Sequence, residues 1–148
     1  MARQIFINLP VKNLDNTIEF FTKLRFTFNP QFTDEKAACM IIGENIYAML
    51  LVEKFFRGFI PGKNITDTKD NIEVLTAISA ESREEVDKMI ENATKSGGKE
   101  YRKASDYGWM YSRAFQDLDG HIWEVLYMDE DKMPQEMKKK EVIVNEIY

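Results

Sequence analysis

An α+β domain made of two βαβββ modules is what the sequence predicts, and three observations predict it. Short segments of period-two alternation fall into two sets. Each set holds one stretch of helical spacing, placed after its first strand-like segment. The spacing then repeats. Phe20 and Phe21 lie nine and ten positions beyond Val11, and Met89 and Ile90 lie nine and ten beyond Ala80. Residue identity between the halves is low, so internal duplication rests on element order and spacing.

The first strand runs from Ile5 to Val11. Ile5, Ile7, Leu9 and Val11 share one face, and Gln4, Phe6, Asn8 and Pro10 the other. Pro10 has no N–H to give a ladder, which fits an edge strand or a terminal position in the strand. A helix follows, with Leu14, Ile18, Phe21 and Leu24 on its apolar stripe and Asn13 or Asp15 able to cap it. Three strands are expected at 26–32, 36–42 and 45–52. Gly43-Glu44-Asn45 supplies the turn between the last two.

Residues 53–71 interrupt the pattern. Phe55, Phe56 and Phe59 form an aromatic anchor, and Pro61-Gly62-Lys63-Asn64 continues neither a helix nor a strand. The order then begins again with a strand at 72–80. Ser82-Arg83-Glu84-Glu85 has the capping-box pattern. Val86, Met89, Ile90 and Ala93 continue a helical stripe, and Gly97-Gly98 ends it. Strands are expected at 99–103, 109–116 and 121–128, the last two joined by Asp117-Leu118-Asp119-Gly120. The reading is one domain over 1–128: module one at 4–52, linker 53–71, module two at 72–128. A charged tail covers 129–148 and ends in the strand-like Glu141–Tyr148. That end is read either as a frayed terminus or as an added strand.

Bulk properties narrow the function classes. The 148 residues carry a net charge of −5, with 44% hydrophobic residues. An acidic balance argues against a nucleic-acid partner, whose phosphates call for a basic surface. No apolar run has the roughly 20 residues that span a bilayer, so no membrane role is expected. The single cysteine, Cys39, cannot form an intramolecular disulfide. Together with the lack of a signal-like start, this gives an expectation of the cytoplasm.

Two segments carry a family resemblance. Phe6–Leu14, with Ile18-Glu19-Phe20-Phe21 and Leu24-Arg25-Phe26, resembles the opening of the glyoxalase/bleomycin-resistance/dioxygenase (vicinal oxygen chelate) superfamily. Asn13, Phe21 and Arg25 stand where Asp, Tyr and Gly are usual. Phe115–Val125, containing Asp117-Leu118-Asp119-Gly120-His121 and Glu124, is similar to its closing hairpin, with Leu118 in place of Pro. The resemblance implies sheets that curl into an open, barrel-like arrangement with a cleft. It also implies a homodimer, often with the cleft shared between subunits. The apolar 55–59 segment agrees with a homodimer.

Metal-using members place His, Gln or Glu on the first and last strands of each half. A divalent ion held there chelates two substrate oxygens and acts as a Lewis acid. Counted onto this chain, those positions are Phe6, Tyr47 or Ala48, Leu75 and Glu124. Glu124 alone is a usual ligand. A set of Asn8, Glu73 and Glu124 requires two shifts of register. His121 is the only histidine, which excludes a two-histidine iron site, and its place after Gly120 suits a turn residue. Cys39, flanked by Met40 and Ile41, reads as core.

The expected cofactor is therefore none, with a divalent metal at Glu124 as the alternative. Glu124 is also the candidate catalytic acid or base. In the strand at 109–116, Trp109, Tyr111, Arg113 and Phe115 share one face, and Ser112 and Ala114 the other. Phe6, Asn8, Tyr47, Trp109, Tyr111 and Arg113 are the candidate ligand-binding residues, a set suited to a small aromatic or cationic molecule. Two functions stay open: a binding protein with a degenerate metal site, and a metal-dependent glyoxalase-type lyase or isomerase or a dioxygenase-related enzyme.

Overall fold

The structure, a computed structural model, describes residues 2–138. Module one contains β1 (Ile5–Val11), α1 (Leu14–Lys23), β2 (Thr27–Phe28), β3 (Ala37–Gly43) and β4 (Ile46–Val52). A short helix, α2 (Glu53–Arg57), follows. Module two contains β5 (Leu75–Ser79), α3 (Arg83–Lys95), β6 (Lys99–Glu100), β7 (Ser105–Asp106), β8 (Met110–Gln116) and β9 (Ile122–Met128). The described chain ends in α4 (Gln135–Lys138). The strand-like segment 141–148 lies outside the described residues.

Both modules form mixed sheets of matching order, β1-β4-β3-β2 and β5-β9-β8-β6, with β7 also paired to β8. In each, the first strand runs parallel to the last and the remaining pairs are antiparallel. β1 lies at a sheet edge, which fits Pro10. Three expected strands are cut short. The one expected at 26–32 ends after Phe28, because Asn29 caps a 3-10 turn at Pro30–Phe32. That expected at 72–80 shrinks to Leu75–Ser79. The segment at 99–103 splits, with β7 added beyond it. The front of the expected linker is helical, and α2 packs on β1 and β4.

The helix ends follow local chemistry. Asn13 Oδ1 accepts the Asn16 N–H, and Ser82 Oγ accepts the Glu85 N–H. Both C-termini close with the same pair of backbone bonds, a Schellman motif. In α1, Phe26 N–H reaches Phe21 O at 3.0 Å and Arg25 N–H reaches Thr22 O at 2.9 Å. In α3, Gly98 N–H reaches Ala93 O at 2.8 Å and Gly97 N–H reaches Thr94 O at 3.5 Å. The motif needs a left-handed residue. Gly97 supplies it at φ 106°, whereas Arg25 is held at φ 74° despite its side chain.

One core serves both modules. Leu9 and Val11 of β1, Phe20 and Phe21 of α1, Val86 and Ile90 of α3, and Phe115 and Trp123 of the second sheet are all buried in it. The ring of Phe21 lies 5.4 Å from Trp123, and Phe20 lies 6.1 Å from Phe115. The helix-covered faces of the two sheets thus meet through α1, and the opposite face of each sheet turns away from this core. Full burial of side chains this large contributes roughly 1.5–3 kcal/mol each.

The β8–β9 turn locks the modules together. Asp119 Oδ1 accepts Lys12 N–H at 2.8 Å, and its Oδ2 accepts the Thr17 hydroxyl at 3.3 Å. Thr68 of the linker donates to Asp119 O at 2.5 Å. Gly120, at φ 84°, is required here, since a Cβ would stand 2.6 Å from Thr68 Oγ1. Buried His121 brings Nε2 to within 2.7 Å of Pro10 O. Its Nδ1 lies 2.8 Å from Glu73 Oε1, close enough for an ion pair though not aligned as a hydrogen bond. Asp117 accepts from the Trp123 indole at 3.0 Å and from the backbone of Asp119 and His121. Burial pushes its carboxyl pKa up.

Candidate functional site: the open faces of the two sheets

Period-two alternation decides which side chains reach the faces away from the helices. On the first sheet, Leu9 and Val11 point into the core, so Phe6, Asn8 and Pro10 point the other way, Phe6 and Asn8 exposed and Pro10 buried. Phe6 is paired in register with Tyr47, and their rings stack at 4.9 Å with planes 13° apart. Phe6 remains 44% exposed. Asn8 sits opposite Met49 and bonds locally to Phe6 O at 3.2 Å. This open face is apolar and aromatic around Phe6, Tyr47 and Met49.

The second open face is charged. Trp123 and Val125 enter the core, which leaves Ile122, Glu124 and Leu126 pointing out. Glu124 stands between Ala77 and Ala114 on the neighbouring strands, two small side chains that leave room above it. Arg102, from the segment between β6 and β7, fills that room. Its Nη2 lies 2.6 Å and its Nε 3.2 Å from Glu124 Oε1. Nη2 also donates to Ser112 Oγ at 3.1 Å, and Nη1 donates to Lys103 O at 3.0 Å and Ser105 Oγ at 3.3 Å. Every donor of the guanidinium is directed at the protein. Among the described residues none donates to Glu124 Oε2.

The structure separates the expected ligand-binding residues. Phe6, Asn8 and Tyr47 share the first open face. Tyr111 and Arg113 lie on the opposite, helix-covered side of β8, because they alternate with Ser112 and Ala114. Tyr111 donates its hydroxyl to Asp87 of α3 at 2.6 Å. Arg113 reaches Asp87 at 2.7 Å and Glu100 at 2.9 Å. Burial works to raise the Asp87 carboxyl, but the hydrogen bonds from Tyr111 and Arg113 outweigh it and hold the pKa below the usual 3.8. Arg83, paired with Asp106 at 2.8 Å, stacks 4.8 Å over the Tyr111 ring. These residues form a network that joins α3 to the sheet. Trp109 precedes β8, and its carbonyl accepts Asp129 N–H at 2.7 Å.

The positions at which the superfamily holds a metal do not fit one here. Phe6 and Leu75 are apolar and face out, and Ala48 is buried in the core. If Phe6 corresponds to Leu75, then Asn8 corresponds to Ala77, and the register partner of Asn8 is Met49 where that of Ala77 is Glu124. Met49, rather than Tyr47 or Ala48, is thus the counterpart of Glu124. The shifted set does not form either, since Asn8 and Glu124 lie in different sheets and Glu73 sits 2.8 Å from His121 Nδ1. Among the described residues no three His, Cys, Asp or Glu side chains converge on one point. Arg102 was the residue that sequence reasoning missed. It lies 22 positions from Glu124 in an irregular segment, and its alternation with Lys99, Tyr101 and Lys103 is the only hint in the chain.

Comparison with known proteins agrees with this architecture. The family model described as the Glyoxalase/Bleomycin resistance protein/Dioxygenase superfamily matches residues 3–125. Hypothetical protein SA1046 from S. aureus is 26% identical in structure-based comparison. The match has a TM-score of 0.71 and covers 86% of this chain and 95% of that one. A glyoxalase/bleomycin resistance protein/dioxygenase family enzyme from Burkholderia phytofirmans PsJN is 10% identical, with a TM-score of 0.70 over 86% and 99% of the two chains. A glyoxalase-related enzyme from Fulvimarina pelagi is 18% identical, with a TM-score of 0.70 over 86% and 88%. At those last two identities the likeness is one of fold. No curated protein matches the chain.

Proposed function

The chain belongs to the glyoxalase/bleomycin-resistance/dioxygenase superfamily, and on that premise we propose that it is a small-molecule-binding protein whose site is completed between two copies. The observation that carries this reading is the Arg102–Glu124 pair at 2.6 Å. A guanidinium already occupies the carboxylate that the superfamily gives to a metal, so the site offers an oriented acceptor oxygen in place of a Lewis acid.

The open faces look away from the shared core, so each half-site needs another surface opposite it. A second copy supplies one, with the Phe6–Tyr47 stack of one chain facing Glu124 of its partner. The ligand class follows from the chemistry. Aromatic faces take a planar ring, and an ionised acceptor takes an ammonium, amidinium or hydroxyl group. Arg102 holds Glu124 in place, and Ser112 holds Arg102.

Benzamidine is a suitable probe, titrated calorimetrically against the full chain. Saturable binding that is lost in both Phe6→Ala and Glu124→Ala supports the reading. A mixture of those two variants tests the shared site directly. Heterodimers rebuild one intact site, so part of the binding returns on mixing if the site is shared. No recovery would place both half-sites in one chain. A monomer in light scattering at micromolar concentration would also sink the dimeric site. Purified protein that holds one Ni²⁺, Zn²⁺, Mn²⁺ or Fe²⁺ per chain, lost in Glu124→Ala, would favour the metal-dependent lyase or dioxygenase-related reading instead.

A further inference from the structure

Away from Arg102 and the His121 lock, a cavity of about 720 Å³ runs between the end of α1, the β3–β4 hairpin, the edge of β5 with Ala77 and Leu126 beside it, and one side of α3. The second module's turn locks against β1, whereas the first module's turn leaves this space beside β5. Leu24, Phe26, Ile42, Ile78 and Met89 make its wall apolar.

Two cations line the cavity, Arg25 and Lys88. Arg57, Arg83, Arg102 and Arg113 each have a carboxylate partner, but among the described residues Arg25 and Lys88 have none. The one carboxylate of the lining, Glu85, is engaged elsewhere, its Oε2 accepting Glu81 N–H at 2.5 Å. The charge left facing the cavity is positive.

Arg25 adds a second, independent observation. It occupies the left-handed position of the α1 Schellman motif at φ 74°, where the matching turn of α3 has Gly97. A side chain is kept at the position that glycine fills without strain, and that side chain lines the cavity. Strain retained at a residue facing a cavity points to a use for the side chain.

We propose that this cavity is a second ligand site, which takes an amphipathic anion: a carboxylate head between Arg25 and Lys88 and a hydrocarbon body on the apolar wall. Glu124 is not in its lining, and the cavity's chemistry is the reverse of the open-face site, cationic where the other offers an acceptor.

Decanoate is the test ligand, with decyltrimethylammonium as the control of equal chain length and opposite charge, both titrated below their micellar range into the full chain. Decanoate binds saturably, and the ammonium at least about tenfold more weakly, the factor expected when a charge-assisted hydrogen bond is lost. Arg25→Gly weakens decanoate by a similar factor without lowering the melting temperature, because glycine relieves the left-handed residue. Ile46→Trp, placed in the lining, blocks binding sterically. Phe6→Ala and Glu124→Ala leave decanoate binding unchanged.

Several results would overturn the proposal. They are no decanoate binding, equal affinity for the two head groups, or binding that survives both Arg25→Gly and Ile46→Trp. Loss of decanoate binding in Glu124→Ala would move it to the open-face site and leave that reading standing. Decanoate binding that appears only after removal of residues 139–148 would assign the cavity to that segment.

Discussion

On the open face of the first sheet Phe6 stacks on Tyr47 beside Met49, while on the open face of the second Glu124 is gripped by Arg102, which Ser112 holds in turn. Strand order and the parallel pairing of first and last strands are the same in both. The helix-covered faces are constrained, since both must fill one core around Phe21 and Trp123. The open faces are packed only in part, through Cys39, Leu51 and Ala114, and their exposed parts have taken opposite chemistry. In a duplicated fold, the architecture persists in the buried half of the alternation and function diverges in the other half.

The largest effect should come from the shared core. Trp123→Ala removes a fully buried ring and an indole bond to Asp117. It should cost about 3–5 kcal/mol in denaturant unfolding. Phe6→Ala, on the open face, should cost under about 1 kcal/mol and abolish benzamidine binding. Equal costs would break the distinction between the two faces.

Next in size is the network on the helix side of β8. Arg113→Ala leaves the Asp87 carboxylate with one donor fewer and should cost about 1–3 kcal/mol. Its counterpart on the open side, Glu124→Ala, should cost at most about 1 kcal/mol, because Glu124 and Arg102 are 25% and 33% exposed.

Acid sharpens the same comparison. Asp87 and Asp106 both have their pKa held below 3.8 in the folded chain, Asp87 by Tyr111 and Arg113 against the opposing effect of burial, and Asp106 by Arg83 and the Gly108 N–H. A depressed folded pKa gives stability that is present above the unfolded value and lost as pH falls through the folded one. Melting temperature should therefore drop as pH is lowered below about 4. The drop should be shallower in Asp87→Asn, and a slope identical to that of the parent chain would contradict the assignment.

The smallest effects compare the two helix ends. Arg25→Gly should leave stability unchanged or raise it by up to about 1 kcal/mol, whereas Gly97→Ala should lower it by about 1 kcal/mol or more. A Cβ at Gly97 would also stand 3.0 Å from Leu118. Thermal unfolding of both variants gives the answer.

Much of this was legible in the chain. The stripes of the two helices, Asn13 and Ser82 as caps and Gly97 as a stop are all local signals, and each stands where expected, whereas the alternation of Ile5–Val11 holds at its centre but leaves Ile5 exposed and Pro10 buried. The strands expected at 26–32 and 99–103 are shorter in the structure, the first because Asn29 caps a 3-10 turn at Pro30–Phe32, the second because Lys99-Glu100-Tyr101-Arg102-Lys103 has no apolar alternation to sustain a longer ladder. Tyr111 and Arg113 were grouped correctly on one face of β8, but alternation alone does not say which face meets a helix.

By itself the sequence determined the two modules, their element order and the lack of ligand side chains at Phe6 and Leu75, because backbone periodicity and side-chain chemistry are properties of the chain. Tertiary structure alone decided the rest: that Arg102 meets Glu124, that His121 joins Pro10 to Glu73, that Asp119 caps the far module, and that an open cavity lies beside Arg25. Each of these joins residues far apart in the chain or brings separate elements to one place. Such contacts are set by how two sheets pack about shared helices, and no local pattern encodes that packing.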